Sequence, residues 1–323
     1  MRRKLLYFLG FAALITATVL LFQRDFDSAL FLESFSNVRP VWLLASVVAT
    51  FITYAIRALR WQVLLISLKL IRLGSLVMAT LLGFGAMYAL GRAGELVRPV
   101  WIARTEEIST IGSFAAIVLE RVFDLLLLLL VFSISLAFVQ LPIGAEGSVS
   151  MLAQAAWVIL AVAASSLGIS ILFEKYVTVI AKKFAGRRIR RYLETFREGL
   201  AATSNLRNLG FVAGYSLLLW LVIAIQFWLM MMGLNFDLPI SATTLVLVGS
   251  ALGSIAQVPG IGGGFQAAFI FCLTTFFLVP VETAIAASLI AWVITYTPTL
   301  LVAAIYMMWK GISTHDLVVQ EPV

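Results

Sequence analysis

Apolar runs at about 5–22, 41–56, 73–90, 111–139, 151–173, 211–232, 242–258, 264–279 and 281–309 fill most of this 323-residue chain. Such spacing leaves little room for anything except membrane-embedded helix. A crossing needs about 20 apolar residues, and backbone amides in hydrocarbon must find partners within their own segment, which a helix provides. Composition agrees, with 62% hydrophobic and only 12% charged residues, roughly half the charged share of a soluble domain. The longest polar stretch, 174–210, is far below the ~100 residues of an ordinary domain. The chain therefore reads as one polytopic membrane domain, 1–323, all-α in class.

The net charge is +7, and its placement carries more information than its size. Three basic residues open the chain at Arg2, Arg3 and Lys4, four lie between Arg57 and Arg72, and nine lie between Lys175 and Arg207. Loops rich in Lys and Arg stay in the cytoplasm. This loop pattern accounts for the basic charge without nucleic acid, and no nucleic-acid partner is expected. Cys272 is the sole cysteine and His315 the sole histidine. An intramolecular disulfide is thereby excluded, the lone histidine argues against a histidine-based metal site while a carboxylate-only one stays open, and no cofactor is expected. The run Leu5–Phe22 is long for a signal peptide and lacks a small-x-small cleavage site, so it reads as a retained first span.

Charge on the loops then fixes a topology of about six full spans and two re-entrant hairpins. Arg57, Arg60, Lys69 and Arg72 precede the run 73–90, and Arg92, Arg98 and Arg104 follow it. Both flanks favour the cytoplasm, so this run reads as a hairpin entering from inside, with Gly83 and Gly85 as its bend. The loops Leu141–Ser150 and Gly233–Ser241 carry no Lys or Arg and read as external. The pieces 242–258 and 264–279 are separated by Pro259, Gly260, Ile261, Gly262, Gly263 and Gly264. Glycine costs about 1 kcal/mol and proline about 3 kcal/mol in a helix interior, so the helix breaks there and a second hairpin enters from outside. Opposed broken segments of this kind occur in inverted-repeat transporters, and an inverted-topology repeat is expected from topology alone. The expected location is the plasma (inner) membrane, multi-pass, with both termini cytoplasmic. Within the basic cytoplasmic loop 174–210, Ile189, Tyr192, Leu193, Phe196 and Leu200 recur at helical spacing between arginines, the pattern of an interfacial helix.

The candidate chemistry lies in charges at or near membrane depth, where each costs roughly 2.5–3.5 kcal/mol at a helix centre. Arg92, Glu95 and Arg98 form one group; Glu120, Arg121 and Asp124 form another at the head of the run 111–139. On a helix Glu120 and Asp124 are i, i+4 and share a face, and Arg92 or Arg98 from the inner hairpin is the natural counter-ion. Arginine suits the task because its planar fork holds carboxylate or phosphate through two parallel hydrogen bonds. Gln257 and Gln266 flank the Pro-Gly break and could hydrogen-bond a substrate without charge, while the glycines leave room for a lipid chain. Arg57, Arg60 and Trp61 read as the ordinary cytoplasmic end of the second span.

The order Gly91-Arg-Ala-Gly-Glu-Leu-Val-Arg-Pro99, then Glu120-Arg-x-x-Asp124, then Pro259-Gly-Ile-Gly262 resembles the lysylphosphatidylglycerol synthase transmembrane-region family, over about residues 40–310. The resemblance implies a lipid-handling membrane domain that, in two-part members, moves aminoacylated phosphatidylglycerol outward. No aminoacyltransferase domain follows Lys310 in this sequence, so lysyl transfer is not expected of it. Gln266 stands near a place where family members often carry a glutamate, which implies an anionic or neutral headgroup here.

The expected function is thus a flippase- or scramblase-like translocator, not an enzyme. Its partners are membrane lipids, an anionic phospholipid or a lipid-linked phosphate. The expected substrate-binding residues are Arg92, Glu95, Arg98, Glu120, Arg121, Asp124, Gln257, Pro259, Gly260, Gly262, Gly263, Gly264 and Gln266. Alternative readings are an integral-membrane enzyme acting on a lipid-linked phosphate, and a non-catalytic partner of a membrane glycosyltransferase or synthase. Homo-oligomers are compatible with either.

Overall fold

A computed structural model of the chain describes residues 26–139, 161, 165, 187–201, 205–258 and 262–312. The expected spans at 5–22 and 151–173 lie outside the described residues apart from 161 and 165. Pro259, Gly260 and the side chains of Arg92 and Gln257 lie outside them as well.

Helix α1 spans Ser28–Ser36, with the Asp27 carboxylate accepting from the amides of Ala29 and Leu30 as its cap. Helix α2 spans Pro40–Leu65 and starts on a proline, whose missing N–H is no loss in a first turn. Next come α3, Leu73–Leu90, a 3₁₀ turn over Gly91–Leu96, and α4, Val97–Thr105. Helix α5 covers Thr110–Phe138, with the Ser109 hydroxyl accepting from Gly112 N at 3.2 Å. The basic loop supplies α6, Arg187–Leu200, where the arginine-interleaved pattern predicts a helix. Helix α7 is Leu206–Gly233 and α8 is Ile240–Gly253. A 3₁₀ turn at Ser254–Ala256 leads to α9, Gly264–Phe277, and the last helix, α10, is Val281–Lys310. Among the described helices, α2, α7 and α10 are long and apolar enough to cross a membrane. The fold is all-α, and among the described residues it is relieved only by a two-rung antiparallel bridge pairing Gln257 with Gly263 and Val258 with Gly262.

Two rims collect the helix ends. On the first, Arg39 N donates to Gly233 O at 2.8 Å, Asp27 N to Glu282 Oε1 at 3.3 Å and Ser241 Oγ to Phe138 O at 3.5 Å. The start of α2, the end of α5, the end of α7 and the starts of α8 and α10 are therefore neighbours. On the second, Ser67 Oγ donates to Glu198 O at 2.8 Å, and Lys69 pairs with Glu106 at 3.0 Å. The end of α2, the end of α4 and the end of α6 meet there. Both limbs of α3–α4 start and finish on this second rim, and both limbs of α8–α9 on the first. The tips of the two hairpins, 91–96 and 257–258, are in contact.

The packing pattern is that of an inverted repeat. Unit α2–(α3, α4)–α5 corresponds to α7–(α8, α9)–α10, and α2 packs along α7. Helix α10 lies on α3 as α5 lies on α8, and α4 meets α5 as α9 meets α10. The apolar core divides accordingly. One cluster, with Leu64, Leu76, Ile102 and Ala116, surrounds the first hairpin; the other, with Phe227, Val246, Phe269 and Ala287, surrounds the second.

The first hairpin does not bend where the glycines suggest. Helix α3 runs unbroken through Gly83 and Gly85, and the chain turns instead at Gly91–Leu96. The two glycines serve close packing: a β-carbon on Gly83 would overlap the Arg98 stem, and one on Gly85 would lie 2.7 Å from Ala303 Cβ.

Candidate functional site

Five elements converge on a buried ionic core. From α2, Arg60 forks onto Asp124 of α5, Nη1 to Oδ1 at 2.7 Å and Nη2 to Oδ2 at 3.3 Å, and Nη1 also donates to Ser216 Oγ of α7 at 3.1 Å. Its Nε lies 3.6 Å from Glu120 Oε1. From α4, Arg98 Nη1 donates to Glu120 Oε2 at 2.9 Å, and its guanidinium lies 4.4 Å over the Trp61 ring. From the turn between α3 and α4, Glu95 pairs with Arg121 Nη2 at 2.5 Å. Arg60, Arg98, Glu120 and Trp61 are wholly shielded from the surroundings. Three carboxylates thus each have a principal arginine: Asp124 has Arg60, Glu120 has Arg98 and Glu95 has Arg121. Pairing of this kind is what allows ions at such depth, because an unmatched buried charge is strongly destabilising.

Arg57 is the remainder. Its nearest carboxylate oxygen is Asp124 Oδ2 at 3.7 Å, on a group already forked by Arg60. Its guanidinium leans over the Phe84 ring at 5.1 Å, and its buried Nη1 makes no hydrogen bond to any described residue.

Arg57, Arg121 and Asp124 line one end of a cavity of about 490 Å³ between the two hairpins, within the size range of ligand sites. Its walls come from α2, α3, α5, α7, α8, α9 and α10. Leu125, Leu128, Ile223, Phe227 and Leu247 give it an apolar body. Thr50, Thr53, Tyr54, Gln226 and Thr295 add polar groups. Ile255 of the second hairpin tip is 65% exposed and also lines the cavity, so the space reaches the surface there. At 1.5 Å per residue, Arg57 stands about 25 Å along α2 from Pro40 and roughly 12 Å from its far end. The charged end therefore sits nearer the second rim.

Of the expected site residues, Glu95, Arg98, Glu120, Arg121 and Asp124 are brought together, but only Arg121 and Asp124 of these face the cavity. Arg98 and Glu120 lie behind its wall, an arrangement that holds α4 to α5. Arg92 is in the 3₁₀ turn. Gln257, Gly262 and Gly263 form the bridge at the second hairpin tip. Gln266 Oε1 accepts from Gly263 N at 2.7 Å and so caps α9. Gly264 does not open a lipid path: a β-carbon there would strike the Gly253 carbonyl, so the bare glycine lets α8 and α9 cross in contact.

Sequence reasoning placed Arg57, Arg60 and Trp61 at a helix end, and the structure puts them inside. Helix α2 continues to Leu65, with Ala58, Trp61, Leu64 and Leu65 all buried after the first arginine. The available signal was a polar stripe, Ser46, Thr50, Thr53, Arg57 and Arg60, alternating steps of four and three along one face of an apolar helix. Four of these five are fully or almost fully buried.

No curated protein and no solved structure matches the chain significantly. The family described as the lysylphosphatidylglycerol synthase TM region matches residues 8–303, which takes in both hairpins and every charged residue of the core. The chain belongs to that lysylphosphatidylglycerol synthase TM region family.

Proposed function

We propose that this protein moves a polar lipid between the two leaflets of the plasma (inner) membrane, in the manner of a flippase or scramblase. The observation that carries the reading is the cavity between opposed hairpins, whose mostly apolar lining includes the charged groups Arg57, Arg121 and Asp124. A lipid has the same division. Its headgroup would sit at Arg57, Arg121 and Asp124 while its tails stay in the bilayer beside the exposed Ile255. Family membership supports a lipid-related role, and the inverted repeat supplies two halves able to rock about a fixed site.

Charge on the rims supports an orientation. Among the described residues, the second rim carries Lys69, Arg72, Arg104 and the five arginines of α6 against Glu106, Glu107, Glu194 and Glu198, whereas the first carries Asp27, Glu33, Asp237 and Glu282 against Arg39. Basic loops face the cytoplasm, so the headgroup end of the cavity lies toward the inner leaflet and both termini are cytoplasmic. In this reading Glu120 and Asp124 hold arginines in place rather than act as acid and base.

The test is leaflet exchange of fluorescent lipid in liposomes containing the purified protein. Exchange should be faster than in protein-free liposomes, and Ala251→Trp, which sets an indole into the cavity, should abolish the increase. No acceleration by a folded wild-type protein, or full activity in that variant, would overturn the proposal.

A further inference from the structure

We infer that the cavity selects its occupant by charge, taking a phosphate-bearing lipid whose headgroup carries no cation, with Arg57 as the seat of the phosphate. This rests on the translocator reading only for the claim that the bound lipid is cargo.

The argument begins with charge. Four arginines, Arg57, Arg60, Arg98 and Arg121, face the three carboxylates Glu95, Glu120 and Asp124. One positive charge is left over, and pairing distances assign it to Arg57. The side chain is largely buried, 14% exposed, so water screens it weakly and an anion beside it would be held strongly. Arg92 in the neighbouring turn is also basic by sequence, so it cannot cancel the excess.

Hydrogen-bonding capacity points the same way. Arg57 Nη1, Arg121 Nε, Trp220 Nε1 and Thr295 Oγ1 belong to residues that line the cavity, and each is buried without a hydrogen bond to a described residue. Tyr54 Oη accepts from Thr299 Oγ1 at 2.9 Å, which leaves the phenol proton to donate. Three of these groups are N–H donors that cannot accept, and unmade donors cost free energy unless a ligand or water satisfies them. A phosphate supplies acceptor oxygens and matches a guanidinium fork in shape. The Asp124 carboxylate, the only one among the described residues that line the cavity, is already forked by Arg60. An ammonium headgroup would therefore meet Arg57 and Arg121 without a carboxylate to receive it.

The same phosphate chemistry is offered by two sources, a phospholipid with a neutral alcohol headgroup and a lipid-linked monophosphate. Three probes separate the outcomes: phosphatidylglycerol, a short polyprenyl monophosphate and lysyl-phosphatidylglycerol. Each is titrated into the full-length protein in phosphatidylcholine nanodiscs, and affinity is read by native mass spectrometry. At least one of the first two should bind about tenfold or more tightly than lysyl-phosphatidylglycerol. Whichever of the two binds better names the source, and either supports the inference.

Arg57→Gln should remove that preference, and Arg57→Lys should keep part of it because the charge remains while the fork is lost. Arg39→Gln, on the first rim, should leave the ranking intact. Equal or tighter binding of lysyl-phosphatidylglycerol by the wild type would overturn the inference, as would an unchanged preference in a folded Arg57→Gln protein. If Arg57→Gln does not fold, the wild-type ranking decides. Leaflet exchange is measured alongside on the same preparations. Charge-selective binding without exchange would sink the translocator and leave this inference standing; exchange without charge selectivity would do the reverse.

Discussion

Arg60 on α2 and Asp124 on α5 meet as a fork, at 2.7 Å and 3.3 Å, with the arginine wholly enclosed between helices. Ser216 on α7 receives a further hydrogen bond from the same guanidinium. One side chain thus ties together both halves of the inverted repeat. Glutamine in place of Arg60 leaves Asp124 facing Arg57 and Arg121 at longer range, without its main partner. Removing one member of a buried pair typically costs about 3–5 kcal/mol, so Arg60→Gln should lose most of its folded yield and melt well below the wild type in detergent. The double variant Arg60→Met, Asp124→Leu removes both charges together and should recover much of that loss. A double variant no more stable than Arg60→Gln would show that the loss does not come from stranded charge.

Gly83 on α3 faces the aliphatic stem of Arg98 with no room for a β-carbon. Gly83→Ala should force α3 away from α4 and cost about 1–3 kcal/mol, the usual scale of overpacking. Gly74 lies on the same helix with nothing within 4 Å of its missing β-carbon. Gly74→Ala should stay within about 0.5 kcal/mol of the wild type, like other surface changes. Thermal melts of the two variants, measured side by side, check the contrast; equal melting temperatures would count against the close approach.

The same pair shows what the sequence does and does not disclose. Several helix extents, though not those of α2 or of the first hairpin's limbs, were legible because apolar run lengths and breakers act locally: the Pro-Gly break falls between α8 and α9, and Arg187–Leu200 is helical as its spacing requires. The opposed hairpins were legible from loop charge. The pairing of Arg98 with Glu120 was legible in kind, since opposite charges at membrane depth need each other. Gly83 was misread because a missing side chain suits a hinge and a close contact alike, and only the neighbour across the gap decides between them. Arg57 and Arg60 were misread for a related reason. Long arginines at a helix end ordinarily reach out to the interface, whereas here α5 and α7 close over them. The stripe that runs down α2 from Ser46 was visible, and its Thr50, Thr53 and Arg57 line the cavity.

In the second hairpin, Gly253 and Gly264 let α8 and α9 cross backbone to backbone, and Gly249 sits against Cys272 Sγ. Cys272 is buried, 4% exposed, so it should react with a membrane-permeant maleimide far more slowly in the folded protein than after denaturation. Gly253→Ala pushes the limbs apart and should raise the rate in the folded state, because local opening governs access to buried groups. A wild-type rate equal to that of the denatured chain would contradict the packing of this hairpin.

The account depends on two hairpins that enter from opposite faces and return to them, and cysteine accessibility tests this most directly. In a Cys272→Ala background, single cysteines at Leu73, Glu107 and Asn205 mark the feet of the first hairpin and its neighbours, and those at Asn37, Asp237 and Val279 mark the second. An impermeant maleimide applied to sealed, oriented vesicles should label the first three from one face and the second three only from the other. Labelling of Leu73 and Glu107 from opposite faces, or of Asp237 and Val279 from opposite faces, would mean that a hairpin is a full crossing, and the cavity would then lose its walls.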